Sequence, residues 1–160
     1  MDAIATLDAT LLRWLIGTFR TPWLDQPMVW ISALATWGAP FLAAGVAVTL
    51  WRRDGRTLMA LWRLGLAVVL ASVVVVDVMK PLLHRDRPFV AHTDIAAIGR
   101  PSGGSSMPSG HAATAVAGAY ALTLLWPAGG LAAWAVAGLV LFSRLYLGVH
   151  YPTDLLMGGL

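Results

Sequence analysis

From Leu58 to Met79 the chain runs for 22 residues with only two charges, Arg63 and Asp77. As an α-helix rising about 1.5 Å per residue, that run is about 33 Å long. This matches a bilayer hydrocarbon core of about 30 Å. Three further runs are comparably apolar: Met28–Trp51, His111–Trp126 and Leu131–Val149. The last two are separated by Pro127-Ala128-Gly129-Gly130, a turn signal. Charged residues make up 12% of the chain, about half the usual share for a soluble domain. Mean hydropathy is +0.72. These features predict an all-α, polytopic membrane helix bundle.

Two ends of the chain need separate treatment. Ala3–Phe19 is helical in pattern but carries Asp8 and Arg13. It is expected to span, with a helix lying in the interface as the alternative. At the other end, the segment from Pro152 to Leu160 covers only about 13 Å as a helix. The expected count is therefore about six helices, the last one reading as cut short.

Arg52, Arg53 and Arg56 cluster in the turn before Leu58, and the positive-inside rule places such a turn on the cytoplasmic side. Counting crossings then puts the polar outer loop, residues 80–110, on the far face. The start of the His111 helix and the end of the Leu131 helix fall on that same face. Trp23, Trp30, Trp51 and Trp126 near helix ends read as interfacial anchors. The formal charge is +3, but no Lys/Arg stripe interleaved with aromatics is present, and no nucleic-acid partner is expected. There are no cysteines, which excludes disulfides and thiolate metal sites.

Three polar clusters meet on the outer face. The first is Lys80-Pro-Leu-Leu-His-Arg-Asp-Arg87-Pro88, cationic at the exit of a spanning helix. The second is Pro108-Ser109-Gly110-His111. Ser109 is a natural N-cap, and a helix start offers free backbone N–H groups to an anion. A cap explains Ser109; it leaves unexplained a titratable histidine in the first turn of an Ala/Gly/Val helix. The third is Ser143-Arg144, then His150, then Asp154. An arginine at membrane depth needs a partner or a polar cavity. Pro152 suits the first position of a new helix, which brings the Asp154 carboxylate back toward His150. A carboxylate on one imidazole nitrogen leaves the other as a nucleophile. Cations, N–H donors, a nucleophile and an acid are the parts that phosphoryl transfer requires.

Taken in order, these clusters resemble the three-part signature of the type 2 phosphatidic acid phosphatase superfamily, integral-membrane lipid phosphatases. The resemblance runs from about Pro22 to the C-terminus. It implies a single membrane-embedded phosphatase domain over residues 1–160 and hydrolysis of a lipid phosphate or diphosphate. His150 would be the nucleophile, oriented by Asp154, and His111 would be the acid and then the base. Lys80, Arg87, Ser109, Gly110 and Arg144 would hold the phosphate. The family uses no metal and no cofactor. The implied partners are a lipid phosphate and the bilayer itself. The implied location is the plasma (inner) membrane, multi-pass, with the site facing the periplasmic or extracellular side. A polyprenyl diphosphate is the first substrate to consider, then phosphatidate, phosphatidylglycerol phosphate and diacylglycerol pyrophosphate. The same pocket also suits a lipid phosphotransferase, or a protein that binds or transports lipid phosphates without chemistry. The two histidines with Asp154 favour an enzyme, because anion binding alone needs neither nucleophile nor acid.

Other polar residues carry simpler expectations. Asp77 stands three residues before Lys80, and i,i+3 spacing predicts a charge pair. His84, Arg85, Asp86, His92 and Asp94 read as solvated loop residues, with His84 or Arg85 as the candidates for touching a second phosphate. Ser143 reads as structural. Ala112, Ala115, Gly118 and Ala119 form a face suited to close helix packing.

Overall fold

The computed structural model describes residues 3–101 and 103–160, and every regular element among them is helical. The helices are α1 (Ala3–Phe19), α2 (Pro22–Leu34), α3 (Ala39–Arg52) and α4 (Gly55–Leu82). After the outer segment, which holds one helical turn at Pro88–Ala91, come α5 (Gly110–Leu125), α6 (Gly130–Tyr146) and α7 (Pro152–Gly159). The protein is a polytopic membrane helix bundle. Helix α4, at 28 residues, and the 20-residue stretch Pro127–Tyr146 are each long and apolar enough to cross a bilayer.

The expected single span Met28–Trp51 is not one helix. It breaks between α2 and α3, whose axes differ by 58°. Trp37 and Gly38 adopt left-handed backbone there, with φ of 58° and 66°. A side chain at Gly38 would also come within 3.0 Å of Val68, so the bend needs glycine for two reasons. Pro40 then sits in the first turn of α3, where its missing N–H costs nothing. The bend lays α2 across the site end of the bundle while α3 descends through it.

Nor does α1 span. Ile4 and Ala5 border a groove with Leu156 and Met157 of α7. Leu12 packs with Ile95 and Tyr151, and Phe19 meets Phe142 near the end of α6. The helix therefore passes from α7 to α6 at the level of the outer segment. Ile4, Leu7, Leu11 and Trp14 form an exposed apolar stripe along it, the pattern of a helix lying in the interface.

The core joins Phe41, Leu64, Val68, Ala115, Ala119, Leu122, Ala137 and Val140. Lipid is as apolar as these side chains, so close packing rather than the hydrophobic effect holds membrane helices together. Gly118 shows how close: an added Cβ would lie 2.7 Å from the Phe41 ring. The small-residue face of α5 is thus a packing face, as its sequence predicts. Leu66, Val69, Leu70 and Val73 of α4 stay exposed, which suits a lipid-facing side.

Helix α4 widens into a π turn over Val74–Met79. Pro81 follows, and its ring cannot coexist with a regular bond to the carbonyl four residues back. The wider turn takes Asp77 off the face of Lys80. Asp77 is exposed and makes no ion pair among the described residues, whereas Lys80 donates to the Ser105 carbonyl at 3.1 Å. The expected Asp77–Lys80 pair is therefore absent.

Candidate active site

The C-terminal end of α4, the N-terminal ends of α5 and α7 and the C-terminal end of α6 converge at one end of the bundle. Each residue expected at the site arrives from one of these ends or from the segments joining them. Gly148, at φ 69°, turns the chain after α6, and a Cβ there would lie 3.0 Å from the Ala96 carbonyl. This turn delivers His150. Pro152 opens α7, and Asp154 reaches back so that its Oδ2 accepts from the Tyr151 backbone N–H at 2.8 Å.

His150 and Asp154 are 2% and 0% exposed. Their Nδ1 and Oδ2 atoms lie 3.4 Å apart, within ion-pair reach though not aligned as a hydrogen bond. Burial holds the His150 imidazole down to about 4, opposed by the Asp154 contact and reinforced by Arg144 and Arg87. The ring is thus neutral at physiological pH. With Nδ1 turned to Asp154, Nε2 is the free nitrogen.

Ser109 caps α5, its Oγ accepting from the Ala112 N–H at 3.4 Å. Its own N–H donates to the Asp154 carbonyl at 2.9 Å, which joins the two helix starts. Gly158 makes this approach possible, since a Cβ there would lie 2.3 Å from the Ser109 carbonyl. The Gly110 and His111 N–H groups lie in the first turn of α5, where no intrahelical acceptor exists.

Around these residues stand the cations. Arg87 is 3% exposed and is held by the carbonyls of Gly104, Val149 and Gly103 at 3.2, 3.2 and 3.4 Å. Burial lowers its pKa, opposed by Asp154. Lys80 lies within electrostatic reach of Arg87, Arg144 and Asp154, and His111 within reach of Arg144, His150 and Lys80. The Arg144 Nη1 donates to Ser32 Oγ. Its Nε is buried and has no partner among the described residues, a donor free for an anion. A cleft of about 470 Å³ opens beside His111 and Arg144, bounded also by Ser32, Arg100 and Val149. Ser143 bonds the Val140 carbonyl at 2.6 Å, a structural contact.

Three participants carry little or no motif signal. Ser32 of α2 meets two site residues at once: its hydroxyl accepts from Arg144, and its carbonyl lies 3.2 Å from His111 Nε2. Nothing in the sequence marks it. Arg85, expected to be solvated, instead joins Asp154 at 2.7 Å and Asp8 at 2.6 Å. Asp8, in α1, is 2% exposed. An acid in an apolar helix was its available signal, because such acids are paired. Asp94 also has a partner, Arg13 at 2.7 Å, though that pair is exposed. His84 and Asp86 are exposed as expected.

Membrane-crossing helices around a buried cationic cluster define an integral membrane protein with a polar centre at one end of its bundle. Residues 60–160 match the model of the PAP2 superfamily, and the chain belongs to that superfamily. It is thereby a lipid phosphatase of a family whose members hydrolyse phosphate esters of membrane lipids. It is 27% identical over 170 residues to the lipid A 4'-phosphatase of Bacteroides thetaiotaomicron, covering 100% of this chain and 74% of that protein. It is 44% identical over 84 residues to the decaprenylphosphoryl-5-phosphoribose phosphatase of Mycolicibacterium smegmatis, covering 51% of this chain but only 43% of that protein. Among solved structures, the PAP2-type phosphatidylglycerolphosphate phosphatase of Bacillus subtilis superposes with a TM-score of 0.70 at 28% identity, over 99% of this chain and 80% of that one. Aquifex aeolicus LpxE shares the fold, with a TM-score of 0.77 at 24% identity over 96% and 88%.

Proposed function

We propose that the chain forms one phosphatase domain that hydrolyses a lipid phosphate without a metal, through a phosphohistidine on His150. The observation that carries this reading is the buried His150–Asp154 contact beside the capped start of α5. In the first step His150 Nε2 attacks phosphorus, an N–P bond forms and the bond to the lipid oxygen breaks. His111, entering this step as an imidazolium paired with the substrate phosphate, gives its Nδ1 proton to the departing oxygen. In the second step His111 takes a proton from water, the water oxygen attacks phosphorus, and the N–P bond breaks to release phosphate. The Ser32 carbonyl accepts from the Nε2–H of His111, which leaves its Nδ1 to exchange the proton. Lys80, Arg87, Arg144, Ser109 and the Gly110 N–H hold the phosphoryl oxygens, whose charge grows in the transition state.

The site faces the periplasmic or extracellular side of a plasma membrane. Supporting this, the Arg52–Arg56 turn lies at the opposite end of the bundle, and such turns stay cytoplasmic. A polyprenyl diphosphate is the first substrate to test. A lipid bearing its phosphate on a sugar is the second, favoured by the names of both curated relatives and by the room in the cleft beside His111.

The test is phosphate release in detergent with excess EDTA, from a polyprenyl diphosphate and from a sugar-phosphate lipid. Each is compared between the native chain and His150→Ala. Release by the native chain alone, with an acid-labile phosphoenzyme that His150→Ala lacks, is the expected result. Equal release by both proteins would remove His150 as nucleophile, and loss of native activity in EDTA would remove the metal-independent reading.

A further inference from the structure

The interfacial helix α1 touches the site through one partly buried chain of charges. Arg85 Nη1 donates to Asp154 Oδ1 at 2.7 Å and to Thr153 Oγ1 at 2.8 Å. Its Nη2 donates to Asp8 Oδ2 at 2.6 Å. Asp8 in turn accepts from the Thr153 backbone N–H at 3.0 Å and from the Thr153 hydroxyl. The guanidinium stacks on Tyr151 with its carbon 4.0 Å from the ring centroid. One planar cation therefore clamps two carboxylates that are almost fully buried. The geometry leaves Asp154 with its other oxygen, Oδ2, turned to His150.

We propose that Arg85 and Asp8 are positioning residues that hold Asp154 against His150, so that the N-terminal helix is part of the catalytic apparatus. This rests on His150 and Asp154 acting as described above. The physical reason is that a free carboxylate has two equivalent oxygens and can rotate. One N–H of an arginine whose other nitrogen is held by Asp8, on the Oδ1 oxygen, and the Tyr151 backbone N–H on the Oδ2 oxygen remove that freedom. Asp8 has a second effect. By sharing the charge of Arg85, it keeps the cation from drawing Asp154 wholly away from the imidazole. In charge alone, loss of Asp8 leaves the imidazolium less supported and loss of Arg85 leaves it more supported, while either loss frees the carboxylate to turn. Groups facing His150 from the other elements are Arg144 of α6, Arg87 of the outer segment and His111 of α5, and all stay in place in the variants below.

The experiment compares the full native chain in detergent with Arg85→Gln, Asp8→Asn and His150→Ala, reading kcat, KM and the pH profile of kcat/KM. Arg85→Gln should lower kcat about 10²-fold, the cost of misplacing a catalytic group by about 1 Å. KM should stay within about threefold, since substrate binding is not what is lost. Asp8→Asn should lower kcat about tenfold by the same misplacement. The acid limb should move to higher pH in Arg85→Gln and to lower pH in Asp8→Asn, an opposition that a merely structural role would not produce. If Arg85→Gln fails to fold, Arg85→Lys serves in its place. Its single ammonium keeps the charge but cannot clamp both carboxylates, and kcat should again fall about tenfold. Native kcat and an unmoved acid limb in the folded variants, with His150→Ala inactive, would overturn the proposal alone. A fully active His150→Ala would overturn the underlying mechanism as well.

Discussion

The two ends of the bundle carry cations and treat them oppositely. At the end opposite the site, Arg52, Arg53 and Arg56 are all exposed. The turn closes on local chemistry: Arg53 takes a left-handed φ of 52°, and Asp54 caps α4 by accepting from the Thr57 N–H at 2.9 Å. At the site end, Arg87, Asp154, Asp8 and His150 are each 3% exposed or less. Charges that face water cost little. Buried ones require compensating partners, and breaking such a set costs about 3–5 kcal/mol. A fold does not need that expense for stability, because apolar residues would pack as well. Among the described residues such a set occurs at the site end, and this supports the proposal that chemistry is done there.

Substitutions at the two ends should therefore differ by orders of magnitude. The largest effect should come from Asp154→Asn. The amide keeps the size of the side chain but loses the charge that supports the imidazolium, and a carboxylate-oriented histidine loses about 10⁴-fold in kcat on such a change. Substrate affinity, read by an inhibitor titration, should survive; an unchanged turnover would show that Asp154 serves only as a helix cap.

An intermediate effect concerns pH. With its pKa lowered by burial from the ordinary 6.5 to about 4, His150 stays neutral and nucleophilic as the pH falls toward that value. The acid limb of kcat/KM in the native chain should thus lie nearer 4 than 6.5. A limb centred near 6.5 would describe a solvated imidazole and would contradict the burial seen here.

The smallest effect should come from Arg52→Ala and Arg56→Ala together. Turnover should remain at the native level, and thermal unfolding in detergent should show a change within about 0.5 kcal/mol per substitution. A clear loss of activity would mean that the far turn communicates with the site, and the contrast between the ends would fail.

Local information was enough for much of this. Apolar runs reveal membrane helices because lipid offers no hydrogen bonds, and a run long enough to cross must satisfy its own backbone. Ser109, Pro152 and the small residues of α5 announce their roles through caps, proline geometry and packing size, all of which act within a few residues. The motif residues could be grouped on one face because parity of crossings follows from the order of runs along the chain. Four other features depend on partners far away in sequence. Met28–Trp51 bends at Trp37 and Gly38, where glycine lets the backbone approach Val68. Helix α1 lies across the bundle because its inner face meets Ile95 and Tyr151. Ser32 enters the site because that bend brings it to Arg144 and His111. Arg85 is drawn partly out of solvent because Asp8 and Asp154, 77 and 69 residues away, close on it from both sides. Hydropathy and capping are properties of a segment, whereas a buried ion pair exists only once packing has removed the water around both of its members.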